Sequence, residues 1–421
     1  MSIRTYHDPL HRGITLNSNI PEEKMVMNLI DSSPFQRLRR IKQLGPAYLT
    51  FHGAESSRFT HSLGVFHIAR RALELLAASR PELNKFKGIL YSAALLHDIG
   101  HGPLSHTSEE MFGINHETWS AKLIYEHPEI RENLDLCSKD IAPQVKALII
   151  GKDIQCKLIK TLVSSQLDCD RLDYLMRDSY SSGTTYGQLD LERILSALTL
   201  APDGDLAINP KGLLAVEHYL IVRNLMYRSV YNHRLNEVSN WLLEQIIQTA
   251  RTIGPKEVWS DNCMKKWLWD PKRIDIDIFL ANDDIRTNYH LLRWKEEGPE
   301  PLKKLCSNFF NRKLLKAVNI EDMKKEDQLF SLAIAIRLTE EIGMDHNLNC
   351  GLRHTKVYGY RPYESGLRIW DGSELKALEK ESPLVENLIN PSKSSWLIYP
   401  KQIDSTLLKE LKVLRRAIKK K

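Results

Sequence analysis

The run Leu95-Leu96-His97-Asp98-Ile99-Gly100-His101-Gly102-Pro103-Leu104-Ser105-His106 sets an imidazole and a carboxylate side by side at the end of an apolar stretch, Ile89 to Leu96. Neutral imidazole and carboxylate are a mixed nitrogen/oxygen donor pair for a divalent ion. Adjacent residues on a helix point about 100° apart, so both reach one ion only beyond the helix end. Gly100 and Gly102-Pro103 are where that helix is expected to stop. A second stretch, Arg58-Phe59-Thr60-His61-Ser62-Leu63-Gly64-Val65, carries another histidine at the start of an amphipathic segment. A third, Leu167 to Asp178, holds the carboxylates Asp168, Asp170, Asp173 and Asp178 among leucines and Tyr174. Carboxylates this dense on a helix with an apolar face need cations to neutralise them.

The elements that must position these residues read as helices. Met25, Met27, Leu29 and Ile30 begin a helical pattern after Pro21, and Phe35, Leu38 and Ile41 continue it beyond a cap at Asp31-Ser32-Ser33 with Pro34 in the first turn. Leu63, Phe66, Ile68, Ala72, Leu73 and Leu76 form an apolar stripe from Arg58 onward. Asn84–Leu96 is the helix that ends in His97-Asp98. Further helices are expected over about 116–127, 143–150, 154–163, 167–177, 189–197, 211–251, 301–318 and 322–337. Residues 1–30 read as a lead-in with a short hairpin at Tyr6–Leu16, and Leu44–Ala54 as a loop or short extended piece. Thr355–Tyr360 and Ser395–Tyr399 are aromatic and β-branched and read as strands. The expected architecture is mainly α, a helical bundle over residues 1–340 with a smaller mixed α+β lobe over 341–421.

Composition bounds the function classes. The chain has 421 residues, 42% hydrophobic and 27% charged, which is ordinary for a globular protein. No apolar run approaches the roughly 20 residues that span a bilayer, and the N-terminus has no apolar signal region. The six cysteines are scattered without a Cys-x-x-Cys pair, which fits reduced thiols in a cytoplasm. A net charge of +6 fits anionic substrates or nucleic acid. The basic end, Leu411 to Lys421, reads as a solvated helix terminus, with single-stranded nucleic acid as the alternative partner.

His61, His97-Asp98 and a later Asp resemble, in order, the H…HD…D pattern of the HD-domain metal phosphohydrolases. Asp31-Ser-Ser-Pro-Phe-Gln-Arg-Leu-Arg-Arg-Ile-Lys-Gln-Leu-Gly and Asp168-Cys-Asp-Arg-Leu-Asp-Tyr extend the likeness to the deoxynucleoside triphosphate (dNTP) triphosphohydrolases, over about residues 4–240. The nearest resemblance is to the HD core of the sterile-alpha-motif-and-HD-domain enzymes, with no such module expected ahead of it here. The resemblance implies a helical bundle with His61, His97, Asp98 and Asp170 holding one Mn²⁺, Fe²⁺, Mg²⁺ or Zn²⁺ ion. It implies His116 as catalytic proton donor with Glu117 beside it, Glu109 as its acidic partner, and His101 and His106 as phosphate contacts, His101 within the catalytic set.

Arg58, Arg171 and Arg223 match the family's phosphate-binding cations, Arg171 standing where the relative has Lys. Gln43 and Asp178 match groups that bond a sugar 3′-hydroxyl, and Leu44 and Tyr174 complete the sugar wall. Tyr231 would stack on the sugar and exclude a 2′-hydroxyl, while Tyr227 and Asn232 replace His and Gln of the relative. Asp31, Gln36 and Arg39 match positions that bind an activating guanine nucleotide (GTP or dGTP), although His7 sits where the relative has Asn. The implied activity is hydrolysis of dNTPs to deoxynucleoside and triphosphate by a homo-oligomer, a dimer or tetramer. The alternatives are another HD phosphohydrolase (a dNMP 5′-nucleotidase or a phosphodiesterase) and a nucleic-acid-binding regulator.

Overall fold

The computed structural model describes residues 3–418 except 153, 155, 358 and 363–365. Lys419–Lys421, the last residues of the basic terminus, lie outside the described residues. The chain forms two compact units. The first comprises residues 1–226, 262–288 and 358–390, and the second 227–261, 289–357 and 391–421. The C-terminal 80 or so residues, expected as one mixed lobe, are thus shared between the two.

In the first unit a hairpin, β1 (Ile3–Asp8) and β2 (Arg12–Asn17), precedes the helices α1 (Pro21–Asp31), α2 (Ser33–Arg37), α3 (Arg58–Ser79) and α4 (Lys87–Leu96). Then come α5 (Thr107–Phe112), α6 (His116–Glu126), α7 (Pro128–Cys137), α8 (Ile141–Ile149), α9 (Lys157–Val163), α10 (Cys169–Ser182), α11 (Leu191–Ala197) and α12 (Leu213–Met226). Helix α4 is the axis of this unit. Every residue from Gly88 to Leu96 is buried, the pattern of a helix surrounded by others, and it packs on α1, α3, α8 and α9. A four-stranded sheet (Leu198–Leu200, Leu206–Ile208, Arg368–Trp370, Leu375–Ala377) completes the unit.

The second unit contains the helices Arg234–Ile253, Glu300–Phe310, Lys325–Glu341 and Asp404–Ile418. They accompany an antiparallel three-stranded sheet with Ser392–Tyr399 between Lys316–Asn319 and Gly351–Val357. Ile320, Ala335, Leu397, Leu407 and Leu411 form its core. No helix of the described residues is long and apolar enough to cross a membrane, and the six cysteines are free thiols.

Three local expectations are corrected. The helix expected over 211–251 is broken: α12 ends at Met226, one wide π-type turn covers Tyr227–Tyr231, and His233 starts the next helix by accepting from Leu235 N. The helix expected over 301–318 stops at Phe310, because Lys316–Asn319 pairs in register with Tyr399–Trp396 and tertiary pairing overrides local propensity. Leu44–Ala54 contains a 3₁₀ turn at Gly45–Leu49.

Helices α3 and α10 approach closely at Gly64. A Cβ there would stand 1.9 Å from Asp173 Oδ1 and 2.5 Å from Arg177 Nη2. Gly64→Ala should therefore push Asp173 out of place. Overpacking of this kind costs about 1–3 kcal/mol, to be read by urea denaturation. A fully stable Gly64→Ala would contradict this packing.

Candidate active site

The site assembles at the C-terminal end of α4, where the helix dipole favours a cation. His97 follows the last helical residue, and its Nδ1 lies 2.9 Å from the Ala94 carbonyl, to which it donates. His61, near the start of α3 and fully buried, lies with Nδ1 2.8 Å from Asp173 Oδ2. Both imidazoles thereby spend Nδ1–H on an outer acceptor and turn the Nε2 lone pair inward, the tautomer that ligates metal. The two Nε2 atoms are buried and have no hydrogen-bond partner. His61 Nε2 lies 3.0 Å from Asp170 Oδ1, and His97 Nε2 3.5 Å from the same oxygen. Two lone pairs facing one carboxylate at these distances repel unless positive charge sits between them.

The carboxylates call for that positive charge: burial disfavours a charged ring at His61, but Asp170 and Asp173 override it and raise its pKa to about 10, so that without an ion a proton on the ring supplies the charge that a metal ion would replace. Burial likewise opposes ionisation of Asp98, yet the Arg58 guanidinium, His97 and His101 hold that carboxyl well below the usual range. The donor atoms of His61, His97 and Asp170 all lie within 4.8 Å of one another. Asp98 stands 3.5 Å from each imidazole Nε2 and is also paired with Arg58. Two imidazoles and two carboxylates, with their second nitrogens already committed, fit a divalent ion. Asp170 comes from the first turn of α10, where the helix dipole favours an anion, and Asp168 caps that helix by accepting from Arg171 N at 2.7 Å.

A second cluster lies beside the first. The His101 and His116 rings stack at 4.0 Å, with His106 edge-on to both at 4.8 and 5.2 Å. His116 Nδ1 is 2.5 Å from Glu109 Oε1. Burial opposes ionisation of Glu109, but hydrogen bonds from His106 and His116 bring its pKa down to about 2, so it remains an anion above that pH. Burial and the nearby Arg58 push His101 far below the usual imidazole range, so its ring is neutral. Helix α6 reaches this position because Gly100 admits it: a Cβ on Gly100 would meet Ser120 N at 2.1 Å and the His116 carbonyl at 2.4 Å. Ser120 Oγ then joins the two segments, accepting from Gly100 N and donating to the His97 carbonyl.

The loop between the clusters is strained and clamped. Leu104 and Ser105 have φ of 61° and 57°, a left-handed conformation costing about 1–3 kcal/mol each for such residues. Asp284 accepts from Leu104 N at 2.6 Å and from Lys42 N at 2.9 Å. Arg58 Nε donates to Ser105 Oγ, and the buried Arg37 donates to the carbonyls of His101 and Asn282.

A cavity of about 160 Å³ opens onto both clusters, lined by Gln43, Arg58, His97, Asp98, His106, His116, Glu117, Asp170 and Tyr174. Sequence reasoning named all nine, but missed Leu148, Ile149, Val163 and Ser164, which complete the wall. Those four carry no ionisable group and gave no signal. His61, His101 and Glu109 stand behind the lining. Arg171 is tied to Asp168 and the Ser165 carbonyl. Leu44, Asp178 and Arg223 belong to the same unit, and Asp178 and Arg223 are buried. Tyr227, Tyr231 and Asn232 belong to the second unit, where the two tyrosine rings meet at 5.0 Å.

The residues matched to an activator site each have partners within this chain. Asp31 pairs with Arg4, Gln36 donates to the Ile30 carbonyl, and Arg39 Nε donates to Gln36 Oε1 while its guanidinium stacks on Phe59 at 3.6 Å.

Comparison with known proteins agrees with this geometry. The HD domain model matches residues 58–182, and the HD associated region model matches 189–401. Protein YwfO of Bacillus subtilis is 34% identical over 436 aligned positions, spanning 99% of this chain and 96% of the relative. A deoxynucleoside triphosphate triphosphohydrolase SAMHD1 homolog of Dictyostelium discoideum is 29% identical over 70% of this chain and 57% of its own length. Among solved structures, a phosphohydrolase from Bacteroides thetaiotaomicron superposes with a TM-score of 0.80 at 26% identity, covering 95% of this chain and 100% of that one. The chain belongs to the HD-domain family, with the HD-associated region following the HD domain.

Proposed function

We propose that this HD-domain protein hydrolyses dNTPs to a deoxynucleoside and inorganic triphosphate. The observation that carries the reading is the pair of buried, unpartnered imidazole nitrogens on His61 and His97. They converge with Asp170 beside a cavity that also receives Arg58, His116 and Tyr174. The name of the Dictyostelium relative supports the substrate class.

His61, His97, Asp98 and Asp170 would hold one divalent ion (Mn²⁺, Fe²⁺, Mg²⁺ or Zn²⁺), which when bound acidifies a water and draws charge from the phosphate. In the reaction so read, a water would add to the α-phosphorus and lose its proton to solvent, the bond from that phosphorus to the 5′-oxygen would break, and the three phosphates would leave as one. The 5′-oxygen is a poor leaving group without a proton. His116 spends Nδ1 on Glu109, so Nε2 is the nitrogen that gives this proton. Glu109, an anion above a pH of about 2, holds the ring in that orientation. Glu117 and His101 flank it. Arg58 and His106 face the phosphates, with Arg171 and Arg223 as further cations.

Gln43, Leu44, Tyr174 and Asp178 would take the sugar. A guanine nucleotide at Asp31, Gln36 and Arg39 would have to replace the Arg4–Asp31 pair, and the active protein would be a homo-oligomer.

The test is a product assay. Purified protein with Mn²⁺ or Mg²⁺ receives each dNTP singly, then mixed, with and without GTP or dGTP. Deoxynucleoside with intact triphosphate is the expected outcome, and stimulation by a guanine nucleotide would support the activator site. Release of single phosphate from dNMP, or of nucleotides from an oligonucleotide, would replace this reading by the phosphomonoesterase or phosphodiesterase one.

Two variants separate the roles. His97→Ala should lose bound metal and activity together. His116→Ala should keep stoichiometric metal and lose about 10²–10⁴-fold in turnover. Unchanged turnover in His116→Ala would remove it as proton donor.

A further inference from the structure

The hairpin that opens the chain reaches the metal centre through its turn. Asp8 Oδ1 accepts from the backbone N–H groups of Leu10 and His11, both at 2.8 Å, which folds the turn and fixes His11. The His11 side chain is 4% exposed, and its Nε2 lies 2.6 Å from Asp173 Oδ1. Asp173 Oδ2 in turn receives His61 Nδ1. The remaining donors to Asp173 are Nε and Nη2 of Arg177, at 2.7 and 2.9 Å, and Arg177 Nη1 is itself held by Asp8 Oδ2 at 2.8 Å. Of the three side chains that hold the Asp173 carboxylate around His61, one comes from the hairpin turn and another is gripped by it.

We infer that His11 is a positioning residue of the metal centre: by locking Asp173, it fixes the tautomer and tilt of His61 and so sets how tightly the site holds its ion. This rests on His61 being a metal ligand, as proposed above. Asp173 is fully buried, and a carboxylate with an unfilled lone pair there would rotate toward the donors that remain, Arg177 above all. His61 would then lose the alignment that aims Nε2 at Asp98 and Asp170. Groups that orient a ligating histidine typically change metal affinity about 10–100-fold when removed.

The hairpin has other anchors, so it does not depend on His11 to fold. Ile14 and Leu16 are buried, six residue pairs join β1 to β2, and Arg70 donates to the Thr15 carbonyl.

The test uses the full chain with His11→Leu, which fills the space without a donor, and His11→Gln, which keeps one. Affinity for Mn²⁺ or Co²⁺ is measured by chelator competition, and the Co²⁺ absorption bands report ligand geometry without any substrate. His11→Leu should bind about 10–100-fold more weakly with shifted Co²⁺ bands, and His11→Gln should recover most of both. Wild-type affinity and spectrum in folded His11→Leu, or equal losses in the two variants, would overturn the inference. His97→Ala serves as control: if it too keeps wild-type affinity, the metal reading fails, whatever His11 does.

Discussion

Two imidazole lone pairs aimed at one carboxylate cannot coexist in a dry interior without positive charge between them. His61 and His97 hold that arrangement because their outer nitrogens are already engaged, one by Asp173 and the other by the Ala94 carbonyl. The rest of the first unit is consistent with this constraint. Asp98 is itself tied to Arg58 and, one layer out, Asp173 to Arg177. Helix α4 presents its negative end to the centre and α10 its positive end to Asp170, so backbone dipoles and side-chain charges act in the same sense.

The strained Leu104–Ser105 turn belongs to the same scheme. A left-handed conformation at two non-glycine residues persists only where surrounding contacts over-determine it. Here Asp284, Lys42, Arg58 and Arg37 each contribute a hydrogen bond to that loop. The effect is to bring His101 and His106 against His116, one stacked on its ring and the other edge-on. In the proposed reaction, imidazoles held this way would meet phosphate and pass a proton without first reorganising. Arg58 links the two clusters, since one guanidinium touches both Asp98 and Ser105.

Short contiguous patterns made much of the site readable. His97-Asp98 follows an apolar run that can only be a buried helix, and Asp168 and Asp170 fall in the first turn of another, where capping and dipole favour acids. His116, Glu109 and the set of four metal ligands were legible only through the resemblance to the HD family's ordered motifs, not through any local rule. The helical segments themselves carry local signals, so spacing along the chain shows them. The mainly helical class was legible for the same reason.

What the sequence could not carry was long-range convergence. His11 and Asp173 are 162 residues apart and meet at 2.6 Å; Leu104 and Asp284 are 180 apart and meet at 2.6 Å. Neither pair leaves a periodic trace. Likewise, nothing in residues 211–251 marks the wide turn at Tyr227–Tyr231, and the apolar pattern of 301–318 does not show that Lys316–Asn319 will find a strand partner at Trp396–Tyr399. Hydrophobic periodicity and capping by themselves determined the mainly helical class and most of the helical segments, and placed His97-Asp98 at a helix end. Only the tertiary structure decided which of those ends face one another, because that depends on close approaches at Gly64 and Gly100 and on buried hydrogen bonds between distant segments.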